Sequence, residues 1–518
     1  MSEMTWMFFG AFLSFRGIYT EQAVIRDQQR AYRMEAEHMR QLFYTPEYAK
    51  TGDVIPFYNE KTKRFENYYL KNWNPDAPKD LAFHGWYRIV TEDLRTYVET
   101  PTKIQGGTGS VICVDGLYHM FYCTFDRDPA AQWARHATSI DLVHWKDIPE
   151  EKFGPDGTIY RMSDWRDPFV FWNEEDSCWW MLLAARENGR TERNGCVALC
   201  KSKDLSHWTY QKPLYSPHMH QGAYECPDLF RMGDWYYLVF SSYTDGFATY
   251  YRMSRSLSGP WIRPERDTFD GRAFYAAKTG TDGKNRYIFG WNPTRGENGW
   301  GFDPGTDFGA DYKSWNWGGS IVTHQLVQHE DGSLGTRPVE SVAGAFTAKK
   351  TDSFTPLTGQ WTMGAGKASC FAQEGYSAAI GSLQIPEQCC IRASIRYEGT
   401  PRSFGLALQV DERFDFGYYL MFEPDFSRIE FRSGLRMYEQ GGQMFPYAVE
   451  MERPFRMTPG KTYQLELYIQ GSLAVLYIDR DVAFGFRMYN WKNRRLGLFA
   501  ADGGICVKDC EILTEEEK

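Results

Sequence analysis

One short phrase recurs along the first two thirds of the chain and limits its fold more than any single motif. It reads TEDLRTYVE at 91–99, SIDLVHWKD at 139–147 and SKDLSHWTY at 202–210, with a weaker copy, SRSLSGPWIRP, at 254–264. Short alternating runs such as GLYHMFYCTF (116–125) and DWYYLVFSSY (234–243) come before the copies. Self-similarity at a period of about fifty residues, with three or four short strands per unit, is the imprint of propeller blades. A fifth unit follows, with NRYIFGWNP at 285–293 and GGSIVTHQLVQHEDGSLGTRP from 318. A five-bladed β-propeller is therefore expected over residues 50–340.

Beyond 350 the phrase stops. Runs such as CCIRASIRYEG, SFGLALQVD and TYQLELYIQGSLAVLYIDRDVAFGF alternate with turn residues and carry no helical period, which predicts a β-sandwich over 350–518. The expected class is all-β, a propeller followed by a sandwich, with an N-terminal extension at 1–49. Within that extension, residues 20–43 interleave charged and apolar residues without Gly or Pro and predict a helix. This helix would pack on the main body; it or the sandwich could instead serve a homo-oligomer contact.

Composition narrows the function. Aromatic residues reach 17%, which suits strands and also sugar recognition, because sugar C–H faces stack on rings. A net charge of −9 with no basic stripe argues against nucleic acid and against anionic membranes. The 11 cysteines show no repeated metal or disulfide spacing, and Cys389 and Cys390 are adjacent. They read as reduced thiols of a cytoplasmic protein. The run MSEMTWMFFGAFLSFRG lacks the basic flank and cleavage site of a secretory leader, and no apolar run is long enough to span a membrane. His119, His144, His207 and His218 have no ligand spacing and read as structural.

The chemistry is expected where inner strands begin. Asp53, Asp167 and Glu225 each precede a strand-like run in successive units, and proline follows two of them within two residues. Taken singly, each is more simply a solvated or turn-capping residue. Together, three carboxylates near one axis would repel and push their pKa values apart, as a retaining glycosidase requires. Arg166, beside Asp167, would supply a fixed charge and orient a sugar hydroxyl.

The phrases WRDPFVFW and YECPDLF, in that order, together with FYAAKT (274–279), FGWNP (289–293), WGGSIVTHQL (317–326) and AFGFRMYNWKNRRLGLFA, resemble glycoside hydrolase family 32. That family comprises invertases, inulinases, levanases and related β-fructofuranosidases, and pairs a five-bladed propeller with a sandwich. The resemblance implies Asp53 as nucleophile, Asp167 as transition-state stabiliser and Glu225 as acid/base. Cys226 would tune or pack Glu225, and no metal or organic cofactor is implied. The substrate would be a carbohydrate.

Several positions depart from the family pattern. Gly52 precedes Asp53, Leu70 replaces a Gln, Thr108 replaces a Ser in GTGS, Ala273 replaces an Asp and Lys278 stands where Gln is common. These are hydroxyl-binding rather than bond-breaking positions, so altered sugar recognition with retained chemistry is expected. Trp86 and Trp291 are expected at the pocket, Trp73 less so. Lys278 reads first as a salt-bridged surface lysine and second as a contact for an anionic substituent. Alternatives are a hydrolase or transferase for another furanoside, arabinofuranoside-like or a fructose dianhydride, and a catalytically silent carbohydrate-binding protein.

Overall fold

A computed structural model describes residues 40–74, 85–102, 104–127, 130–244, 246–272, 274–296, 311, 314–433 and 449–516. The recurring phrase is a turn. Asp93 Oδ1 accepts the backbone N–H groups of Arg95 and Thr96 at 2.9 and 2.7 Å. Asp141 does the same for Val143 and His144, and Asp204 for Ser206 and His207. The preceding hydroxyl of Thr91, Ser139 or Ser202 accepts the N–H of the following Leu. These buried leucines, Leu94, Leu142 and Leu205, have φ of 58°, 65° and 69°. Such a conformation is costly for Leu and persists because side chains bind the turn's amides on both sides. His144 and His207 bond the turn aspartates at 2.7 and 2.8 Å, and His119 bonds His136 at 2.9 Å. These three are structural, as expected.

Four antiparallel sheets hold residues 49–338. Two have four strands, beginning at Gly107–Val114 and Tyr160–Asn173, and one has three, beginning at Glu225–Met232. The fourth has nine strands and joins the two ends of this region. Its Tyr275–Thr281, Arg286–Gly296 and Ser314–Gln328 strands continue into Ala49–Ile55, Arg64–Trp73, Gly85–Thr91 and Val98–Pro101 through the pairing of Thr51 with Gly319. The strands Ala49–Ile55, Gly107–Val114, Tyr160–Asn173, Glu225–Met232 and Tyr275–Thr281 contact one another in that order, and the last contacts the first. Hydrophobic clusters fill the gaps between sheets, with Tyr68, Trp86 and Met120 in one and Trp180, Tyr224 and Phe240 in another.

Beyond 345 an eight-stranded and a seven-stranded sheet face each other. Ile391, Ile395, Leu465 and Leu467 of the first meet Leu406, Leu420, Phe431 and Leu498 of the second in one core. The other face of the eight-stranded sheet, through Cys390, Tyr468, Val475 and Tyr477, packs on the first unit beside Ile288 and Phe346. Burial on both faces explains why Leu473–Ile478 and Val482–Arg487 are buried at every position rather than at every second one.

The same contact surface carries an arginine that ties the two units together. Arg487 is 3% exposed; its Nε donates to Pro293 O at 2.7 Å and its Nη2 to Asn292 O and Ser320 Oγ, each at 2.9 Å. These acceptors directly follow Trp291 or pair with its strand.

Two expectations need correction or restriction. Residues 40–43, the end of the expected helix, are not helical. Arg40 bridges Thr96, and the N–H groups of Leu42 and Phe43 donate to Gln470 Oε1 because both side chains are buried against the core. Residues 20–39 lie outside the described residues. All eleven cysteines are unpaired, in agreement with reduced thiols. Among the described residues no helix is long and apolar enough to cross a membrane.

Replacing Arg487 with Ala strands several buried carbonyls, so a loss of about 3 kcal/mol is expected in urea unfolding. The exposed Arg402→Ala serves as control and should leave the midpoint unchanged.

Candidate active site

All five contacting strands share an irregularity in their pairing. Pairing slips between Thr51 and Val54, Gly107 and Gly109, Arg166 and Phe169, Glu225 and Asp228, and Tyr275 and Lys278. A bulge turns one extra residue out of the ladder and re-aims its side chain. Asp167, Cys226 and Ala276 occupy three of these bulges at φ of 59°, 50° and 51°. Pro168 and Pro227 follow directly, removing a backbone donor where pairing is interrupted.

Asp167 fixes the next bulge in the cycle. Its Oδ2 accepts the Cys226 N–H at 2.9 Å, while the Cys123 thiol lies 3.9 Å from its Oδ1. Glu225, one residue before that bulge, is held at both oxygens. Oε1 accepts Arg166 Nη2 at 2.7 Å and Nε at 3.2 Å, and Oε2 accepts the Tyr275 hydroxyl at 2.5 Å. Arg166 also donates to Asp164 at 2.6 Å and to Gln132 at 3.3 Å. Asp53 receives the Trp291 indole N–H at 3.1 Å.

The carboxylates act on one another electrostatically. Burial pushes Asp53 up to about 7; Asp167 and then Glu225 push the same way, against the Trp291 N–H and the Lys278 ammonium. Glu225 also lies above its ordinary value, chiefly from burial, with Arg166 opposing and Asp167 adding. Groups this strongly linked titrate as a set, and near neutrality the set retains protons that isolated carboxyls would have released. Such an arrangement offers an ionised oxygen and a protonated one in the same pocket.

The other sequence-derived positions divide. Trp291 is at the site, through its bond to Asp53. Trp86 is not: fully buried against Tyr68, Met120 and Leu142, it fills the space between two sheets. Leu70 packs on that same cluster, and Trp73 lies under the Lys71 ammonium at 4.2 Å. Cys226 contributes its backbone N–H rather than a sugar contact, because the residue is 2% exposed in a cluster with Tyr275, Ala276 and Trp291. Burial and the neighbouring carboxylates push that thiol well up, leaving it unreactive. Thr108 lies in the second bulge, buried, and its hydroxyl has no partner among the described residues. Gly52 has a steric reason: a Cβ there would lie 2.0 Å from the ring of Trp317, which also packs on Trp291. Ala273 lies outside the described residues. Lys278 is not a surface lysine; it is 1% exposed and donates to Gly109 O at 2.7 Å.

Sequence reasoning missed Tyr275, Trp317, Asp164 and Gln132. Tyr275 and Trp317 lie inside FYAAKT and WGGSIVTHQL, so position in those motifs was the available signal. Among the described residues no cluster of His, Cys, Asp or Glu could hold a metal ion.

The description Glycosyl hydrolases family 32 N-terminal domain matches residues 60–299, a span that holds Asp167 and Glu225 and begins just after Asp53. Residues 60–299 are thus a glycosyl hydrolase family 32 N-terminal domain. Among relatives, sucrose-6-phosphate hydrolase of Escherichia coli is 29% identical over 288 residues, 49% of this chain and 55% of that protein. Raffinose invertase of Escherichia coli is 29% identical over 338 residues, 50% of this chain and 65% of that protein. The chain thus spans somewhat over half the length of these curated relatives. Solved structures with the same fold include the Bombyx mori GH32 β-fructofuranosidase, with a TM-score of 0.63 at 16% identity, covering 96% of this chain and 99% of that one. The exo-inulinase of Aspergillus awamori gives 0.66 at 14% identity, covering 92% and 98%.

The Asp53 environment has a thermodynamic consequence. A carboxyl raised to about 7 in the folded chain keeps a proton that the unfolded chain, near 3.8, has released. Folding takes up a proton between those values, so stability falls as pH rises through that window. Asp53→Asn retains an acceptor for Trp291 and removes the penalty. It should stabilise the protein by about 4 kcal/mol at pH 8 and by almost nothing at pH 3.5, read by urea unfolding at the two pH values.

Proposed function

We propose that this chain is a retaining glycoside hydrolase acting on a β-fructofuranoside. The carrying observation is the convergence of Asp53, Asp167 and Glu225 on one buried site, each at or beside a bulge in a different strand of the cycle. The names of the relatives support the substrate class, since they describe a sucrose-6-phosphate hydrolase, a raffinose invertase and levanases. The five contacting strands support five blades over 50–340, with the nine-stranded sheet supplying the first and last. The two facing sheets support a sandwich over 350–518. Unpaired thiols favour a cytoplasmic setting.

In this reading ionised Asp53 attacks the anomeric carbon and the bond to the leaving oxygen breaks. Glu225 gives its proton to that oxygen. Water then attacks the covalent fructosyl–Asp53 ester, delivering its hydroxyl to the anomeric carbon and its proton to Glu225, and Asp53 leaves as a carboxylate. Asp167, held by the Cys226 N–H, stabilises the oxocarbenium-like transition state. Arg166 and Tyr275 place the two oxygens of Glu225 before substrate arrives. Both favour its anion, so proton donation requires substrate to disturb their hold on the carboxyl.

A second reading, another furanoside under the same carboxylates, is favoured by Gly52 beside Trp317 and by the unpartnered Thr108 hydroxyl. A panel of sucrose, inulin- and levan-type oligosaccharides, fructose dianhydrides and aryl arabinofuranosides separates the two. Fructose release should appear on at least one fructoside, and Glu225→Gln should lower kcat by roughly 10³-fold. Release of another furanose alone selects the second reading, and silence throughout selects a binding protein. Tyr275→Phe removes a donor that favours the Glu225 anion. The alkaline limb of kcat/KM should therefore move to higher pH, by about half a unit for one lost hydrogen bond.

A further inference from the structure

Lys278 stands on Tyr275–Thr281, three residues after the tyrosine that holds Glu225, and its ammonium reaches Gly109 O on Gly107–Val114 at 2.7 Å. Those two strands are separated in the cycle by Ala49–Ile55, the strand that carries Asp53. The side chain therefore runs across the interior of the ring rather than along its wall. A cavity of about 300 Å³ lies beyond it, lined by residues downstream of the bulges, among them Ile55, Phe57, Ser110, Phe169 and Thr279. Lys278 and Gly109 thus form the wall of this cavity at the level of the bulges.

We propose that Lys278 is a positioning residue that closes the floor of the active site and favours the ionised form of Asp53 that nucleophilic attack requires. This rests on the proposed role of Asp53.

The surrounding charges leave that task to Lys278. Asp53 shares its pocket with Asp167 and Glu225, with the thiols of Cys123 and Cys226, and with the Tyr275 hydroxyl. Arg166 already bonds Glu225 and Asp164. Arg286 faces Asp228 on the far side, where Asp228 also receives the Thr279 N–H. Lys278 forms no ion pair among the described residues, and its charge favours the anions of both Asp53 and Asp228. A buried ammonium opposite a buried carboxylate is stabilising only if both remain charged. A glutamine in this place could cap Gly109 O but would supply no charge.

The test compares Lys278→Gln, which keeps a donor for Gly109 O, with Lys278→Met, which keeps neither donor nor charge. kcat/KM is followed against pH on the best fructoside, with urea unfolding as the fold control. Losing the cation raises Asp53, so the acid limb should move to higher pH by roughly one unit in both variants, with KM changed less than twofold at the optimum. A wild-type acid limb in Lys278→Gln would overturn the proposal, even if Lys278→Met fails to fold. Asp53→Asn is assayed alongside. If it remains active, the nucleophile assignment fails and this inference with it; if it is inactive while Lys278→Gln keeps the wild-type profile, only the role of Lys278 fails.

Discussion

Three carboxylates buried within reach of one another oppose folding, and much of the site's structure answers that cost. Each must lose water, and Asp167 raises both Asp53 and Glu225. The chain answers with a few hydrogen bonds that are already committed. Arg166 and Tyr275 take the two oxygens of Glu225, the Cys226 amide takes Asp167, and the Trp291 indole takes Asp53. The left-handed backbone at Asp167 and Cys226 belongs to the same arrangement, since the bulges bring amide and carboxylate together.

These donors are braced from behind. Tyr275 and Trp291 pair across two adjacent strands and pack with Phe247 and Trp317. The residues after Trp291 are gripped by Arg487 from the C-terminal sheets. The C-terminal sheets therefore contribute to the site without entering it, by fixing the strand that presents the indole to Asp53. This accounts for the apolar sequence of the sheet that makes the contact, which is buried on both faces.

The fold was largely legible because its turns are written in side chains. An Asp accepting two amides and a hydroxyl accepting a third must recur wherever the same turn recurs, so the repeat phrase was visible. Of the three carboxylates expected to begin strands only Glu225 does so; Asp53 and Asp167 lie inside Ala49–Ile55 and Tyr160–Asn173, at bulges. What stayed hidden depends on which face of a strand a residue occupies after a bulge. Trp86 and Trp291 are the same residue type in similar strands, yet one fills a gap between sheets and the other reaches Asp53. Lys278 looked like a surface residue because its composition is that of one; only the crossing to Gly109 makes it internal. The extended path of residues 40–43 follows from burial of Leu42 and Phe43, which overrides a helical pattern of charges.

The central claim is that Asp53 forms a bond to the sugar. It is tested most directly with the Glu225→Gln variant and a fructosyl fluoride, whose leaving group needs no proton donor, followed by mass spectrometry of the digested protein. The account predicts that one fructosyl unit accumulates on the peptide containing Asp53. Fluoride release without an adduct on that peptide, or an adduct on Asp167, would contradict it.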